Sequence, residues 1–104
     1  MNLRVPALLR LARDQACANC GAQDGTVVAA HSNHVDHGKG WAIKANDCFT
    51  AHLCWKCHAW LDQGKGSDPT GVWGDGREDK LAMFRRAMDK TTLRLWKSGA
   101  IKVK

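Results

Sequence analysis

The sequence predicts one small α+β domain that needs a staple. Three observations predict it. A chain of 104 residues fits a single domain, 1–104, and can bury only a modest core. Five cysteines and five histidines in so short a chain supply metal ligands, one of the usual staples for a small core. Short strand-like and longer helical segments alternate along it. Hydrophobic residues make up 44% and charged residues 25%, the proportions of a globular domain and not of a disordered tail.

Residues 3–15 have helical character, with Leu8, Leu9 and Leu11 among arginines. Pro6 suits a first-turn position. Residues 1–16 are therefore expected to form an N-terminal helical arm. CANCG follows as a tight knuckle-type turn. Residues 26–31, TVVAAH, are β-branched and small and predict a short strand. HSNHVDHGKG is polar and glycine-bearing and predicts a loop. WAIKAND is the candidate for a second extended piece. CWKCHAWLD, 54–62, predicts the start of a helix that completes a core over 17–64. QGKGSDPTGVWGDG predicts a long connection. From Arg77 to Lys97 the pattern is helical, giving a C-terminal helix over 77–98. Leu81, Phe84, Met88 and Leu95 fall near one face and are expected to pack. Gly99 is the expected stop.

The chain is basic, with 16 Lys and Arg against 10 Asp and Glu, a formal charge of +6 and a pI near 9.3. That balance suits a polyanionic partner such as nucleic acid. No run approaches the roughly 18 apolar residues of a membrane span, so no membrane partner is expected. The opening segment is short in apolar residues and interrupted by Arg4, Arg10 and Arg13, which does not read as a signal peptide. A cytoplasmic protein is expected, and there thiols stay reduced. That context favours metal binding over disulfides, as does the odd number of cysteines.

Cys17 and Cys20, and Cys54 and Cys57, form two matching C-x-x-C pairs. Each pair can hold two sulfurs on one side of a tetrahedral ion, so a Zn²⁺ site is expected, with a reduced or redox-active, redox-sensing C-x-x-C site as the alternative. Four thiolates around Zn²⁺ lower the net charge by about two and leave the protein basic. Four sulfur ligands leave no open position for water or substrate, so this zinc is expected to be structural. Cys48 lies outside both pairs and is expected to be a small buried apolar residue.

Any chemistry must lie elsewhere. His31 ends the predicted strand. His58 directly follows Cys57, and Asp62 lies four residues further on, so the two share a helix face. A strand-end histidine opposite a helix histidine and carboxylate suits metal-assisted phosphodiester hydrolysis. The competing reading makes His31 a core or turn histidine and His58 a cap on the zinc loop. His34 and His37 lie in the loop after the strand and are expected to be solvated, with extra ligands or phosphate contacts as the alternative, and His52 has no assigned task.

AAHSN, then GKGWAIKAND, then HLCWKCHAWLDQG resemble the HNH endonuclease superfamily, and in particular the small phage-borne YbcO-like nucleases. The similarity runs from about Arg13 to Gly64. It implies a ββα-metal fold, also termed the His-Me finger: a two-stranded hairpin and a helix clamped by zinc, here with flanking helices. By position, His31 matches the general base and His58 a ligand of a catalytic ion, Mg²⁺ or Mn²⁺. Asp47 or Asn46 falls near the middle position, whose residue braces the loop or supports the histidine. Asp62 matches an acidic position and is the second candidate ligand, with Asp47 or Asn33 as further ones. Many HNH enzymes carry a metal-binding Asp immediately before the base, where this chain has Ala30.

Gly38-Lys39-Gly40 lies between His31 and Asp47. Glycines let backbone approach a phosphate, and Lys39, with Lys44, supplies charge. The bland alternative is a flexible hairpin tip. Arg86, Lys90 and Arg94 recur at four-residue spacing on the last helix and are candidate phosphate contacts. The five tryptophans are expected to fill core, and exposed ones could stack on unpaired bases. Together these readings imply a metal-dependent endonuclease of phage or prophage type, acting on DNA in the cytoplasm of a bacterial host. The alternative is a non-catalytic zinc module that binds nucleic acid or a recombination or other phage protein.

Overall fold

A computed structural model describes residues 2–103. The fold is small and α+β: one two-stranded antiparallel sheet and three α-helices. Helix α1 spans Pro6–Leu11, with Pro6 in its first turn, and runs on through a 3₁₀ turn at Ala12–Asp14. Its Ala12 is fully buried, and this anchors the arm to the same core as the rest of the chain. Residues 3–5 precede the helix and tie into the loop between the strands through the Leu3 and Val5 amides.

Strand β1 is Val28–His31 and strand β2 is Thr50–Leu53. They pair with Val28 opposite Leu53 and His31 opposite Thr50. The second strand is therefore not in WAIKAND. In that segment the chain makes a tight turn, in which Gly40 and Ile43 form an isolated bridge. Thr50–Leu53 escapes an alternation rule because all four of its residues are buried. One edge of β2 pairs with β1. On the other edge, the His52 carbonyl accepts from the Ala18 amide at 2.7 Å and its N–H donates to Thr91 Oγ1 at 2.9 Å. The knuckle and the last helix thus cover the strand edge at His52.

Helix α2, Trp55–Gln63, follows β2 directly, with Cys54 as its N-cap residue. The Trp55 amide donates to Thr26 Oγ1 at 3.1 Å, so the turn before β1 satisfies the start of α2. Residues 64–76 form the expected long connection, without helix or strand. Helix α3 spans Arg77–Ser98, with Glu78 and Asp79 in its first turn and Lys97 in its last, both favourable to the helix dipole. Gly99 ends it at φ +81°, a conformation that suits glycine.

The buried stripe of α3 is Met83, Ala87, Thr91 and Leu95. Leu81 is exposed, and Phe84 and Met88 only flank the core. The small Ala87 and Thr91 let β2 approach, and the Thr91 hydroxyl joins the two elements. Trp60, Leu53, Met83 and Val27 are the large apolar side chains of the core, and Cys17, Cys54 and Cys57 pack among them. Cys48 is exposed, contrary to the expectation of a buried residue, because it sits in the turn before β2. Of the tryptophans, Trp60 fills core, whereas Trp41, Trp55 and Trp96 are exposed. No helix among the described residues is long and apolar enough to cross a membrane.

Candidate functional site

The four paired cysteines converge. Their Sγ atoms all lie within 4.8 Å of one another, with Cys17–Cys57 at 3.7 Å and Cys20–Cys54 at 3.6 Å. A tetrahedral ion with Zn–S bonds of about 2.3 Å needs sulfurs about 3.8 Å apart. The group therefore fits a metal such as zinc. Its surroundings fit as well. The Cys20 N–H and the Asn19 amide donate to Cys17 and Cys57 sulfur at 3.5 and 3.3 Å. Cys54 and Cys57 sit in the first turn of α2, where the helix dipole favours negative sulfur. The contact with Cys57 pulls the Cys17 thiol down to about 4, while the same contact raises Cys57. Burial pushes Cys20 up to about 11. Cys20 and Cys57 thus favour the neutral thiol without a cation, and a bound divalent cation would favour their thiolates.

A cleft of about 830 Å³ is lined by the N-terminal arm, β1, the loop after it and α2. Both His31, at the end of β1, and the His58–Asp62 pair of α2 line it, together with Asn33, Lys39 and Lys44. His58 Nε2 lies 2.7 Å from Asp62 Oδ2. That hydrogen bond raises the His58 pKa, against a smaller opposing effect of burial. Asn33 Nδ2 donates to Asp62 Oδ1 at 3.2 Å, joining the loop after β1 to α2. Arg10 and Arg13 from the N-terminal arm also line the cleft. Nothing in their local spacing links them to His31.

Asp47 is placed differently from its expected role as a ligand of the catalytic ion. It is 1% exposed, and both its oxygens are engaged. Oδ1 faces His31 Nε2 at 2.7 Å and Arg4 Nη1 at 3.2 Å, while Oδ2 accepts the Val5 N–H at 2.6 Å. Burial pushes its pKa up, but the bonds from His31 and Val5 and the charges of His31 and Arg4 outweigh it, and the net shift is downward. Asp47 is thus an ionised brace for His31. The neighbouring Asn46 accepts from the Leu3 N–H at 2.6 Å and donates to the His37 carbonyl at 2.9 Å. Two adjacent residues divide the tasks of bracing the loop and supporting the histidine. Among the described residues, the four cysteines are the only such cluster of three or more possible ligands, so His58, Asp62 and Asp47 do not form one set.

The other histidines lie outside the cleft lining and make contacts of their own. His37 Nδ1 bonds Ser32 Oγ at 2.6 Å and its ring stacks on Phe49 at 4.2 Å. His34 Nδ1 accepts the Asp36 N–H at 3.1 Å. His52 is buried under α3, and burial, with the Arg94 charge, lowers its pKa to about 4. The expected basic stripe of α3 divides. Arg94 donates to the Ala16 carbonyl at 2.6 Å and so clamps the arm. Arg86 and Lys90 border a separate cavity of about 180 Å³ with Asn19 and Trp73, not the His31 cleft. Comparison of the chain with family models, with curated proteins and with solved structures finds no match.

Proposed function

We propose that this chain is a zinc-stapled, metal-dependent endonuclease of the HNH, or ββα-metal, type that hydrolyses DNA phosphodiester bonds. It would be of phage or prophage origin and act in the bacterial cytoplasm. One observation carries the reading: a carboxylate-backed strand-end histidine and a helix His–Asp pair line the same lysine-bearing cleft.

Asp47, held ionised, accepts from His31, so the proton of neutral His31 sits on Nε2 and Nδ1 is the free acceptor. Nδ1 takes a proton from water as the water oxygen attacks phosphorus and the P–O3′ bond breaks. Asp47 then stabilises the imidazolium, the role of a buried carboxylate behind a histidine base. His58 and Asp62 would hold Mg²⁺ or Mn²⁺, with water and phosphate oxygens filling the remaining positions, as is usual for Mg²⁺. Such an ion supplies charge stabilisation to the phosphate and the leaving oxygen. Lys39 and Lys44 seat the backbone by charge. The Cys₄ zinc holds the frame in which His58 follows Cys57.

Plasmid nicking with Mg²⁺ or Mn²⁺ tests this. Wild type is expected to cleave and His31→Ala to lose cleavage. Absence of cleavage on single-stranded, double-stranded and branched DNA, or equal cleavage by His31→Ala, refutes it. One observation favours a non-catalytic zinc module that binds nucleic acid or a recombination protein. Ala30 is buried where an acidic ligand is common, and Asp47 is fully engaged. Under that reading, DNA binding is salt-dependent and indifferent to His31→Ala and His58→Ala.

A further inference from the structure

The least covered tryptophan stands beside the cleft. Trp41 is 96% exposed, whereas Trp60 is 1% exposed. It occupies the tip of a turn closed by two reciprocal backbone bonds between Gly40 and Ile43, each 3.1 Å. Ala42, next to it, has φ +55°, a conformation uncommon for alanine. The feet of the turn are clamped. Asn2 Nδ2 donates to the Gly38 carbonyl at 2.6 Å and to the Lys44 carbonyl at 2.9 Å, and Arg4 Nη2 donates to the Lys44 carbonyl at 2.8 Å. The ring is therefore held out on a braced, locally strained support and not on a loose loop. Such preorganisation lowers the cost of ordering on binding.

Charge selects the occupant. Lys39 and Lys44 flank the turn and line the cleft, as do Arg10 and Arg13. An aromatic face next to a cationic groove is the combination that single-stranded nucleic acid uses, with phosphates in the groove and bases on the ring. We infer that Trp41 is a stacking platform for an unpaired base of the bound strand. The cleft then takes single-stranded nucleic acid, or a duplex opened beside the phosphate presented to His31. Stacking tolerates every base, so little sequence preference is expected at this contact. The inference rests on the nucleic-acid part of the proposed function and adds the strand state of the substrate.

Binding of fluorescein-labelled oligonucleotides, followed by anisotropy without added Mg²⁺ or Mn²⁺, tests it. Trp41→Ala, whose site is exposed and whose zinc content controls for folding, is expected to weaken single-strand binding about 5- to 150-fold. It should leave a blunt duplex of equal length within about twofold, since a paired base is not free to stack. Trp41→Phe should retain most of the affinity. A strand carrying abasic sites should bind wild type and Trp41→Ala alike. Unchanged single-strand binding by Trp41→Ala, or an equal loss on single strand and duplex, overturns the inference. The parent reading fails separately. His31-dependent cleavage with Trp41-independent binding overturns only the stacking role. Trp41-dependent binding without cleavage overturns only hydrolysis. Binding to neither strand form overturns both, and leaves the Trp41 tip as a protein-docking surface.

Discussion

His31 Nε2 lies 2.7 Å from Asp47 Oδ1, and that same oxygen also meets Arg4 of the N-terminal arm. The candidate base is therefore oriented by a buried carboxylate that is itself held by a third segment of chain. Asp47→Asn keeps the volume but removes the negative charge, so the imidazolium is no longer stabilised. The cleavage rate is expected to fall about 10²- to 10⁴-fold, the contribution of a positioned acid or base. Asp47→Ala should also leave the part-buried Val5 N–H without its charged acceptor and lower stability by about 1–3 kcal/mol. Single-turnover nicking and thermal melting, run on both variants, separate the two effects. A rate near wild type for Asp47→Asn would remove Asp47 from the machinery.

The cysteine cluster predicts a folded state that depends on metal. Three of its four cysteines are buried members of the core, which holds few large apolar side chains. Removal of a structural zinc is worth on the order of 10 kcal/mol of apparent binding energy. Chelation or Cys54→Ser should therefore abolish the cooperative melt and the helical circular dichroism. Metal release on thiol modification should report one zinc per chain. Cys48→Ser, at an exposed position outside the cluster, should change neither. Full retention of the melt after metal removal would show that the cluster is not a staple.

What was legible in the sequence is what is local. The C-x-x-C pairs, the His58–Asp62 spacing and the Gly99 stop each follow from a rule that spans a few residues. Thr50–Leu53 was not legible as a strand, because a strand buried on both faces carries no alternation and TAHL has one β-branched residue. The His31–Asp47 bond and the clamp of Asn2 and Arg4 on the loop join residues far apart in the chain, which no periodicity encodes. The stripe on α3 was misplaced because Leu81 outranks Ala87 and Thr91 in hydrophobicity. The fold instead buries the small residues, which allow close approach of β2.

His52 predicts a pH-dependent stability. It is 1% exposed, and its pKa falls from 6.5 to about 4. The neutral form is favoured in the folded state, so the unfolded chain takes up the proton first as pH falls. Its contribution is fully present above pH 6.5 and is lost as pH falls from there towards about 4. The loss amounts to on the order of 3 kcal/mol across that window. Urea melts of wild type and His52→Gln at pH 7.5 and 5 isolate it, because cysteine protonation is common to both proteins. The stability difference between them should shift against wild type on acidification. A difference that does not vary with pH would show that His52 titrates normally.

Arg94 and the cleft lysines predict opposite phenotypes. Arg94 donates to the Ala16 carbonyl at 2.6 Å, and so fastens the arm to α3. Arg94→Ala should lower stability by about 1–2 kcal/mol, the value of a charge-assisted bond that is partly exposed. It should leave the affinity for DNA unchanged, because the guanidinium is engaged with backbone. Lys39→Ala and Lys44→Ala should do the reverse. Both residues line the His31 cleft, and each removed phosphate contact should lower the slope of log affinity against log salt by about 0.7–0.9. Their melting temperatures should stay near wild type. If Arg94→Ala instead reduces the salt slope, the basic stripe of α3 belongs to the nucleic-acid face. The bound strand must then cross the knuckle towards Arg86 and Lys90 and not stay within the cleft.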